Sequence, residues 1–170
     1  MHERLMDSPV GLLTLRTEDG KLTAILFGEH RIGGTGEDPV LDQTEVELRE
    51  YFAGERKVFT VPVHLSGTGF QMKVWAALQE IPYGETATYG EIAARIGSPR
   101  ACRAVGTANH NNPISIVVPC HRVIGANGSL TGYGGGLPVK AYLLEWEKSI
   151  TLSQALKATV PGSVKSKELR

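Results

Sequence analysis

The residues with the clearest capacity for chemistry are an adjacent cysteine and histidine, Cys120 and His121. A thiolate is the reactive form of cysteine, and a nearby imidazole can take the thiol proton at neutral pH. The pair follows an apolar run and precedes a glycine-rich loop, which favours a nucleophile and its general base. A buried, unreactive cysteine is the commoner case, so the dipeptide alone leaves both interpretations open.

The segments on either side of this pair are predicted to hold it in place. The apolar run 114–118 has the length of a buried strand and would deliver Cys120 to its end. A flexible glycine-rich loop follows at 133–136. A final helix is predicted from Pro138 to about Lys148, and the polar residues 150–170 are expected to form a loosely ordered tail.

Three helical segments are predicted upstream of the pair. Apolar residues recur at helical spacing over 70–81. Thr88 and Glu91 have the Ser/Thr-x-x-Glu pattern of a capping box, which predicts a short second helix. Ser98-Pro99 then predicts the start of a third helix that runs to about Asn109. The last two helices are a candidate helix-turn-helix, whose second helix carries Arg100 and Arg103.

The first half of the chain is predicted to be a small sheet with one helix. Strand patterns occupy 12–16, 22–27 and 58–65, and the turn residues Glu18-Asp19-Gly20 predict a hairpin between the first two strands. Helical spacing over 46–52 ends before Gly54. This half contains no motif with an evident chemical role, so we interpret it as a scaffold. The predicted organisation is an N-terminal domain at 1–65, a C-terminal domain at 66–149 and the tail. The C-terminal domain contains the candidate active site and the candidate helix-turn-helix, a motif typical of DNA-binding proteins.

Composition favours a soluble globular protein. Of the 170 residues, 41% are hydrophobic and 21% are charged, and no apolar run approaches the ~20 residues of a membrane span. The start of the chain lacks an export-signal pattern, so a cytoplasmic setting without membrane contact is expected. Cys102 and Cys120 are too few for a disulfide framework and lack the spaced partners of a zinc site. No metal and no cofactor are therefore expected.

The formal net charge of zero conceals an asymmetry between the two halves. Residues 1–64 carry 7 Lys/Arg against 12 Asp/Glu, net −5, and residues 65–170 carry 11 against 6, net +5. A basic C-terminal half favours a polyanionic partner such as DNA, because Lys and Arg neutralise phosphates. A solvated basic surface explains the charge equally well.

Several motifs resemble one protein family, and they occur in that family's order. Residues 116–123, Ile-Val-Val-Pro-Cys-His-Arg-Val, resemble the active-site signature of the O6-alkylguanine-DNA alkyltransferases, or methylated-DNA–protein-cysteine methyltransferases. The other matching motifs are Phe70-Gln71-x-x-Val74-Trp75, Ile81-Pro82-Tyr83-Gly84-Glu85-Thr86, Tyr89-Gly90-Glu91-Ile92-Ala93, Arg103-Ala104-Val105-Gly106, Asn112-Pro113 and Tyr133-Gly134-Gly135-Gly136-Leu137. The specific likeness covers about residues 66–148.

The resemblance implies a fold, a partner and a reaction. The fold would be α+β, with a ribonuclease H-like N-terminal domain and a mainly helical, winged-helix-like C-terminal domain. The protein would be a monomer that binds double-stranded DNA by the minor groove with little sequence specificity; whether binding is cooperative stays open. It would flip O6-alkylguanine, and also O4-alkylthymine, out of the duplex and accept the alkyl group once and irreversibly.

The resemblance also implies a role for each matching residue. Cys120 would be the acceptor, His121 its water-mediated base, and Glu147 the group that orients the imidazole. Tyr89 would donate to the guanine ring nitrogen, and Asn112 would hold the active-site turn. Arg103 would fill the gap left by the flipped base, and Arg100 and Arg122 would contact DNA. The carbonyls of Val123 and Cys120 would accept from the guanine amino group. The pocket would be lined by Tyr133, Gly134, Gly135 and Gly136, with the Gly134 amide facing O6.

This sequence departs from the family pattern in two places. Gly134 stands where some members have serine, so a side-chain hydroxyl contact with O6 is absent. No cysteine precedes Cys102, so the amino-terminal zinc sites of some members have no ligands here. Cys102 itself is interpreted as a small helix-face residue and not as a second acceptor.

Two other functions compete with alkyl transfer. A non-catalytic helix-turn-helix module would use Cys120 only structurally. A cysteine hydrolase built on Cys120 and His121 would need turnover and an oxyanion site, and it would leave the helix-turn-helix unexplained.

Overall fold

The computed structural model describes residues 1–159, and its first element is a three-stranded antiparallel sheet. Its strands are β1 (His2–Met6), β2 (Leu13–Glu18) and β3 (Lys21–Phe27), in the order β1-β2-β3. The predicted hairpin between β2 and β3 turns at Asp19-Gly20, where φ is 51° and 75°. Two positive φ values match the twist of the flanking strands. Strand β1 was not predicted from the sequence.

Helix α1 (Pro39–Phe52) packs across this sheet with Leu41, Leu48 and Tyr51 fully buried. The predicted strand at 58–65 does not form; only a single parallel bridge joins Leu22 and Val63. The backbone N–H groups of residues 60 and 61 donate to the buried carboxylate of Glu47 at 2.8 and 3.2 Å. They are therefore not available for hydrogen bonds to a neighbouring strand.

The C-terminal half contains the predicted helix-turn-helix. Helices α2 (Gly69–Leu78) and α3 (Tyr89–Arg95) each begin with a capping box, at Thr68 and Thr88. Helix α4 (Cys102–His110) begins three residues later than predicted, because residues 98–101 form a turn closed by a 2.9 Å bond from the Ala101 N–H to the Ser98 carbonyl. Helices α2, α3 and α4 pack on one another, as the fold class predicted from the sequence requires.

The apolar run 114–118 is not a strand. Ile116 has a φ of 75°, and a 2.9 Å bond from the Val117 N–H to the Ser115 carbonyl makes a γ-turn. A β-branched residue rarely adopts this left-handed conformation. The Asn112 side chain explains the turn, since it accepts from the Ile114 N–H at 3.0 Å and donates to the Val118 carbonyl at 2.8 Å.

The chain then forms a short 3-10 helix (Cys120–Arg122) and the strand β5 (Val123–Ile124), which pairs in parallel with β4 (Ala87–Thr88). Helix α5 (Leu137–Thr159) extends eleven residues beyond its predicted end at Lys148. No Gly or Pro interrupts 149–159, so nothing local stops the helix. The rest of the predicted tail, 160–170, lies outside the described residues. Within 1–159, every helix is too short or too polar to cross a bilayer.

Candidate active site and DNA-facing groove

The active-site turn is built around the Asn112 side chain. Besides its two backbone bonds, its Nδ2 lies 3.1 Å from the Sγ of Cys120. Cys120 is 4% exposed, so the sulfur lies inside the protein and not on its surface. The γ-turn and the thiol therefore share one amide group that fixes both.

Burial sets the resting protonation state of the thiol. It raises the pKa of Cys120, and the Asn112 hydrogen bond and the nearby charge of Lys140 oppose that rise. The buried hydroxyl of Tyr133 also faces the sulfur, without meeting the full geometry of a hydrogen bond. The thiol is therefore protonated at rest and requires a base before it can act as a nucleophile.

His121, the next residue in the chain, is hydrogen-bonded to a buried carboxylate. Its Nε2 lies 2.7 Å from Oε2 of Glu147, and both side chains are at most 1% exposed. Burial lowers the pKa of His121, although the carboxylate opposes this, so the imidazole is neutral. With the Nε2 proton donated to Glu147, the Nδ1 is left unprotonated, and no described residue hydrogen-bonds to it.

Glu147 is held by groups from three parts of the chain. Its carboxylate accepts from the Tyr51 hydroxyl at 2.6 Å, the Gly84 N–H at 3.2 Å and the Arg122 Nε at 2.8 Å. Burial alone raises the pKa of Glu147, but the hydrogen bonds and charges of His121 and Arg122 outweigh it and hold the pKa well below its usual range. Glu147 is therefore a permanent anion behind the imidazole.

Arg122 corrects the sequence interpretation that it binds DNA. Its side chain is 6% exposed, it pairs with Glu147, and its Nη1 donates to the Ile81 carbonyl at 2.7 Å. A guanidinium committed to these internal partners cannot reach a phosphate. The other two arginines assigned to DNA, Arg100 and Arg103, are exposed.

A groove of about 640 Å³ lies beside the helix-turn-helix. It is lined by residues of α3, α4 and the segment just before the glycine-rich loop: Tyr89, Cys102, Arg103, Gly106, Thr107, His110, Thr131 and Gly132. Cys120 is not among the lining residues, whereas Thr131 is, and Thr131 is bonded on two sides. The Thr131 hydroxyl donates to the Tyr89 hydroxyl at 2.9 Å, and its carbonyl accepts from the Lys140 Nζ at 2.8 Å.

Two residues of this site were not identified from the sequence. Lys140 is fully buried, with Nζ 5.9 Å from the Tyr89 ring centroid, and burial lowers its pKa. Asn109, at the end of α4, donates from Nδ2 to the Cys120 carbonyl at 3.2 Å. A lysine after a glycine-rich loop and an asparagine near a helix end are both common on surfaces, so neither carried a distinguishing signal.

The Cys120 carbonyl is less available to a substrate than the resemblance implied. It already accepts from Asn109 and from the backbone N–H of Val123. A carbonyl oxygen has two lone pairs, and both are used here.

The glycines of the loop have different surroundings. A Cβ on Gly135 would lie 2.9 Å from the ring of Phe27 in β3, so Gly135 allows the N-terminal sheet to pack closely. Among residues 1–159, no heavy atom lies within 4 Å of a Cβ placed on Gly134, which is exposed. Gly136 has a φ of 93°, which favours glycine. Gly135 thus serves the joint between the two halves and not the pocket wall.

The fold and the site together define a class of protein, a helix-turn-helix protein with a buried cysteine and an adjacent histidine that is bonded to a buried carboxylate. Within the described part of the chain, no cluster of three or more His, Cys, Asp or Glu side chains is placed to hold a metal ion. Two family models match the chain. They are the DNA-binding domain of 6-O-methylguanine DNA methyltransferase over residues 69–149 and the ribonuclease-like domain of the same enzyme over residues 1–65.

Curated relatives and solved structures give the same result. The methylated-DNA–protein-cysteine methyltransferase of Mycobacterium tuberculosis is 52% identical over 154 residues, which cover 88% of this chain and 93% of the relative. The constitutive methylated-DNA–protein-cysteine methyltransferase of Bacillus subtilis is 45% identical over 157 residues, which cover 84% of this chain and 92% of the relative. The structure of Mycobacterium tuberculosis OGT in complex with DNA matches with a TM-score of 0.84 and 53% identity, covering 88% of this chain and 94% of that one.

A more distant structure, an O6-methylguanine DNA methyltransferase from Methanococcus jannaschii, matches with a TM-score of 0.65 and 30% identity, covering 85% of this chain and 93% of that one. The chain belongs to the 6-O-methylguanine DNA methyltransferase family. The resemblance read from the motifs is confirmed, as are the fold class and the expected enzyme class, which is that of these relatives.

Proposed function

We propose that this protein repairs alkylated DNA by transferring the alkyl group of O6-alkylguanine to the Sγ of Cys120. O4-alkylthymine is a second substrate of the same reaction. The observation that carries the proposal is a buried thiol, Cys120, whose neighbour in the chain, His121, is hydrogen-bonded to the buried carboxylate of Glu147. A groove beside the helix-turn-helix supports it. A flipped base is required because O6 lies within the stacked duplex, out of reach of a buried thiol.

The proton of the thiol goes to the unpartnered Nδ1 of His121 through a water molecule, while Glu147 stabilises the imidazolium that forms. The sulfur electron pair then forms a bond to the alkyl carbon. The bond from that carbon to O6 breaks, and its electron pair stays with the purine. The product is a thioether, which thiol exchange does not reverse, so each molecule reacts once.

The purine that leaves carries negative charge, and two groups are placed to stabilise it. The Tyr89 hydroxyl lines the groove and donates to the ring nitrogen. The Lys140 ammonium lies between Tyr89 and the thiol and adds a positive charge close to the reaction. Cys120 does not line the groove, and Thr131 in its lining is bonded to Tyr89 and Lys140. We infer that the flipped base displaces the Thr131 segment before it reacts.

DNA binds across the groove by its minor groove, and the exposed arginines of the helix-turn-helix make the contacts. Arg103 lines the groove at the start of α4, where its planar cation can occupy the space of the flipped base. Arg100 lies in the adjacent turn and meets the phosphates. Contacts of this kind depend on salt and little on sequence, and the protein binds as a monomer.

Intact-mass spectrometry tests the reaction. After incubation with a duplex that contains O6-methylguanine, we expect one methyl adduct, located on Cys120 by peptide mapping. Cys102 offers a matched control because it is the other free cysteine and lines the groove. Cys102→Ala should keep the adduct and Cys120→Ala should lose it. An unshifted mass in the wild-type protein would reject alkyl transfer, and multiple turnovers without an adduct would favour the hydrolase.

A second experiment tests the arginine. Arg103→Ala should slow repair of duplex DNA much more than reaction with free O6-benzylguanine, because its proposed role is to fill the gap in the stack. Arg95→Ala is the control, since Arg95 is exposed at the end of α3 and pairs with Glu80 outside the groove. Equal losses on both substrates would reject this role for Arg103.

A further inference from the structure

We propose that Tyr51 of helix α1 is a positioning residue for alkyl transfer, acting through Glu147 on His121. This inference rests on the proposed function. The Tyr51 hydroxyl donates to Oε2 of Glu147 at 2.6 Å, and the same oxygen accepts from His121 Nε2 at 2.7 Å. One carboxylate oxygen therefore connects the N-terminal region of the chain directly to the base of the reaction.

The hydroxyl is held in this position by rigid packing. Tyr51 is fully buried, and its ring contacts those of Phe52, Phe59 and Tyr83 at centroid distances of 5.1, 5.6 and 6.1 Å. Its backbone carbonyl accepts from the Trp146 indole at 3.0 Å, next to Glu147 in the chain. Helices α1 and α5 are thus bonded to each other at the same residue that supplies the donor.

The Tyr51 hydroxyl keeps its proton and therefore acts as a donor to Glu147. Burial, followed by the charge of Glu147, raises the pKa of its hydroxyl far above the ordinary value, so the proton stays on the oxygen. A hydrogen bond to an ionised carboxylate is stronger than one between neutral groups. The bond makes Oε2 less basic. The carboxylate therefore still accepts the Nε2–H of His121, but it stabilises the imidazolium form less than it would without the Tyr51 hydroxyl.

The effect of removing the Tyr51 hydroxyl follows from the charged and polar groups around His121 and Glu147. The groups that face His121 and Glu147 are Arg122 and Lys140 as cations, the Cys120 thiol, and the hydroxyls of Tyr51, Tyr83 and Tyr133. Without the Tyr51 hydroxyl, Glu147 attracts the imidazolium more strongly, and the pKa of His121 rises. The base is then protonated, and inactive, at a higher pH than in the wild-type protein.

Tyr51→Phe tests this role, and the chain offers a matched control. Tyr83 lies against Tyr51, and no residue of the described chain hydrogen-bonds to its buried hydroxyl, so Tyr83→Phe removes a hydroxyl from the same cluster without removing a bond to Glu147. The rate of reaction with O6-benzylguanine is measured across the pH range for both variants and the wild type. We expect Tyr51→Phe to move the acid limb to higher pH, because the pKa of His121 rises. We also expect the plateau rate to fall by roughly threefold to tenfold, because the carboxylate that orients the imidazole loses one of the bonds that hold it in place.

Two further measurements exclude a purely structural explanation. Circular dichroism reports whether each variant is folded under the assay conditions, and the NMR titration of the His121 ring gives its pKa independently of any reaction. We expect that pKa to rise in Tyr51→Phe and not in Tyr83→Phe. A plateau loss that both variants share, with an unmoved acid limb and an unchanged titration, would overturn the role of Tyr51.

The design also separates this inference from the proposed function. If the wild-type protein gains no benzyl adduct on Cys120, alkyl transfer itself fails, and the role of Tyr51 fails with it. If the wild type forms the adduct and Tyr51→Phe has the wild-type pH profile, only the role of Tyr51 is overturned.

Discussion

Each half of the molecule contains a buried carboxylate with several hydrogen-bond donors, and the two carboxylates do different work. Glu3 in β1 is 2% exposed and accepts from Arg16 Nε at 2.8 Å and from the backbone N–H groups of residues 32, 33 and 34 at 2.8–3.1 Å. Glu147 in α5 also accepts from an arginine and a backbone N–H, but one of its other partners is His121.

The nature of the partners explains the difference. A guanidinium and peptide N–H groups do not change their protonation state near neutral pH, so the Glu3 cluster can only anchor the loop at 32–34 to the sheet. Imidazoles titrate in that range, and the one bonded to Glu147 is adjacent to Cys120 in the chain. A buried carboxylate takes part in chemistry when one of its partners can release or accept a proton beside a nucleophile.

Replacing each carboxylate by its amide is the strongest test of this comparison. Glu147→Gln should lower the rate of alkyl transfer by about 100-fold or more, because the imidazolium loses its counter-charge. Glu3→Gln should keep the wild-type rate in the folded protein. Rates with O6-benzylguanine, measured on samples verified by circular dichroism, check both. Similar rate losses in the two variants would show that the Glu147 effect is only structural.

The next largest effect is expected on stability, from a substitution where the glycine-rich loop packs against the N-terminal sheet. A Cβ on Gly135 would lie 2.9 Å from the Phe27 ring, so Gly135→Ala should destabilise the protein by roughly 1–3 kcal/mol through overpacking. Gly134→Ala, one residue away in open space, should change stability little. Urea unfolding measures both, and equal effects would show that Phe27 does not set the packing of the loop.

The pH dependence of stability tests whether Glu3 is ionised in the folded protein. Burial raises its pKa, but the Gly34 amide and Arg16 outweigh this and lower the pKa from 4.5 to about 2. A lowered carboxylate pKa stabilises the fold above pH 4.5, and the contribution is lost as the pH falls towards 2. The stability difference between wild type and Glu3→Gln should therefore shrink with acidification. A difference that is constant with pH, in unfolding experiments, would contradict an ionised Glu3.

The smallest predicted effect concerns access to the thiol. Thr131→Val keeps the shape of the side chain but removes its hydrogen bond to Tyr89. We expect reaction with free O6-benzylguanine to be roughly twofold to tenfold faster, because one bond no longer holds the segment closed. Ser129→Ala is a control in the same loop, outside the groove lining. A rate for Thr131→Val equal to that of the wild type would mean that the segment does not limit access.

The sequence by itself determined the features whose signals lie within a few residues. The capping box of Thr88 and Glu91, the Asp19-Gly20 hairpin and the adjacency of Cys120 and His121 depend on local chemistry. These signals, together with the ordered motifs, were sufficient to predict the helix-turn-helix and the family. The roles assigned to single residues stay predictions until the experiments above are done.

Only the tertiary structure decided the features that depend on distant partners. The Asn112 amide turned the apolar run 114–118 into a γ-turn, and Glu147 drew Arg122 into the interior instead of leaving it for DNA. The bond from Tyr51 to Glu147 joins residues 96 positions apart. A local pattern records the propensity of its own segment, whereas the environment of a buried polar group is set by whichever elements pack against it.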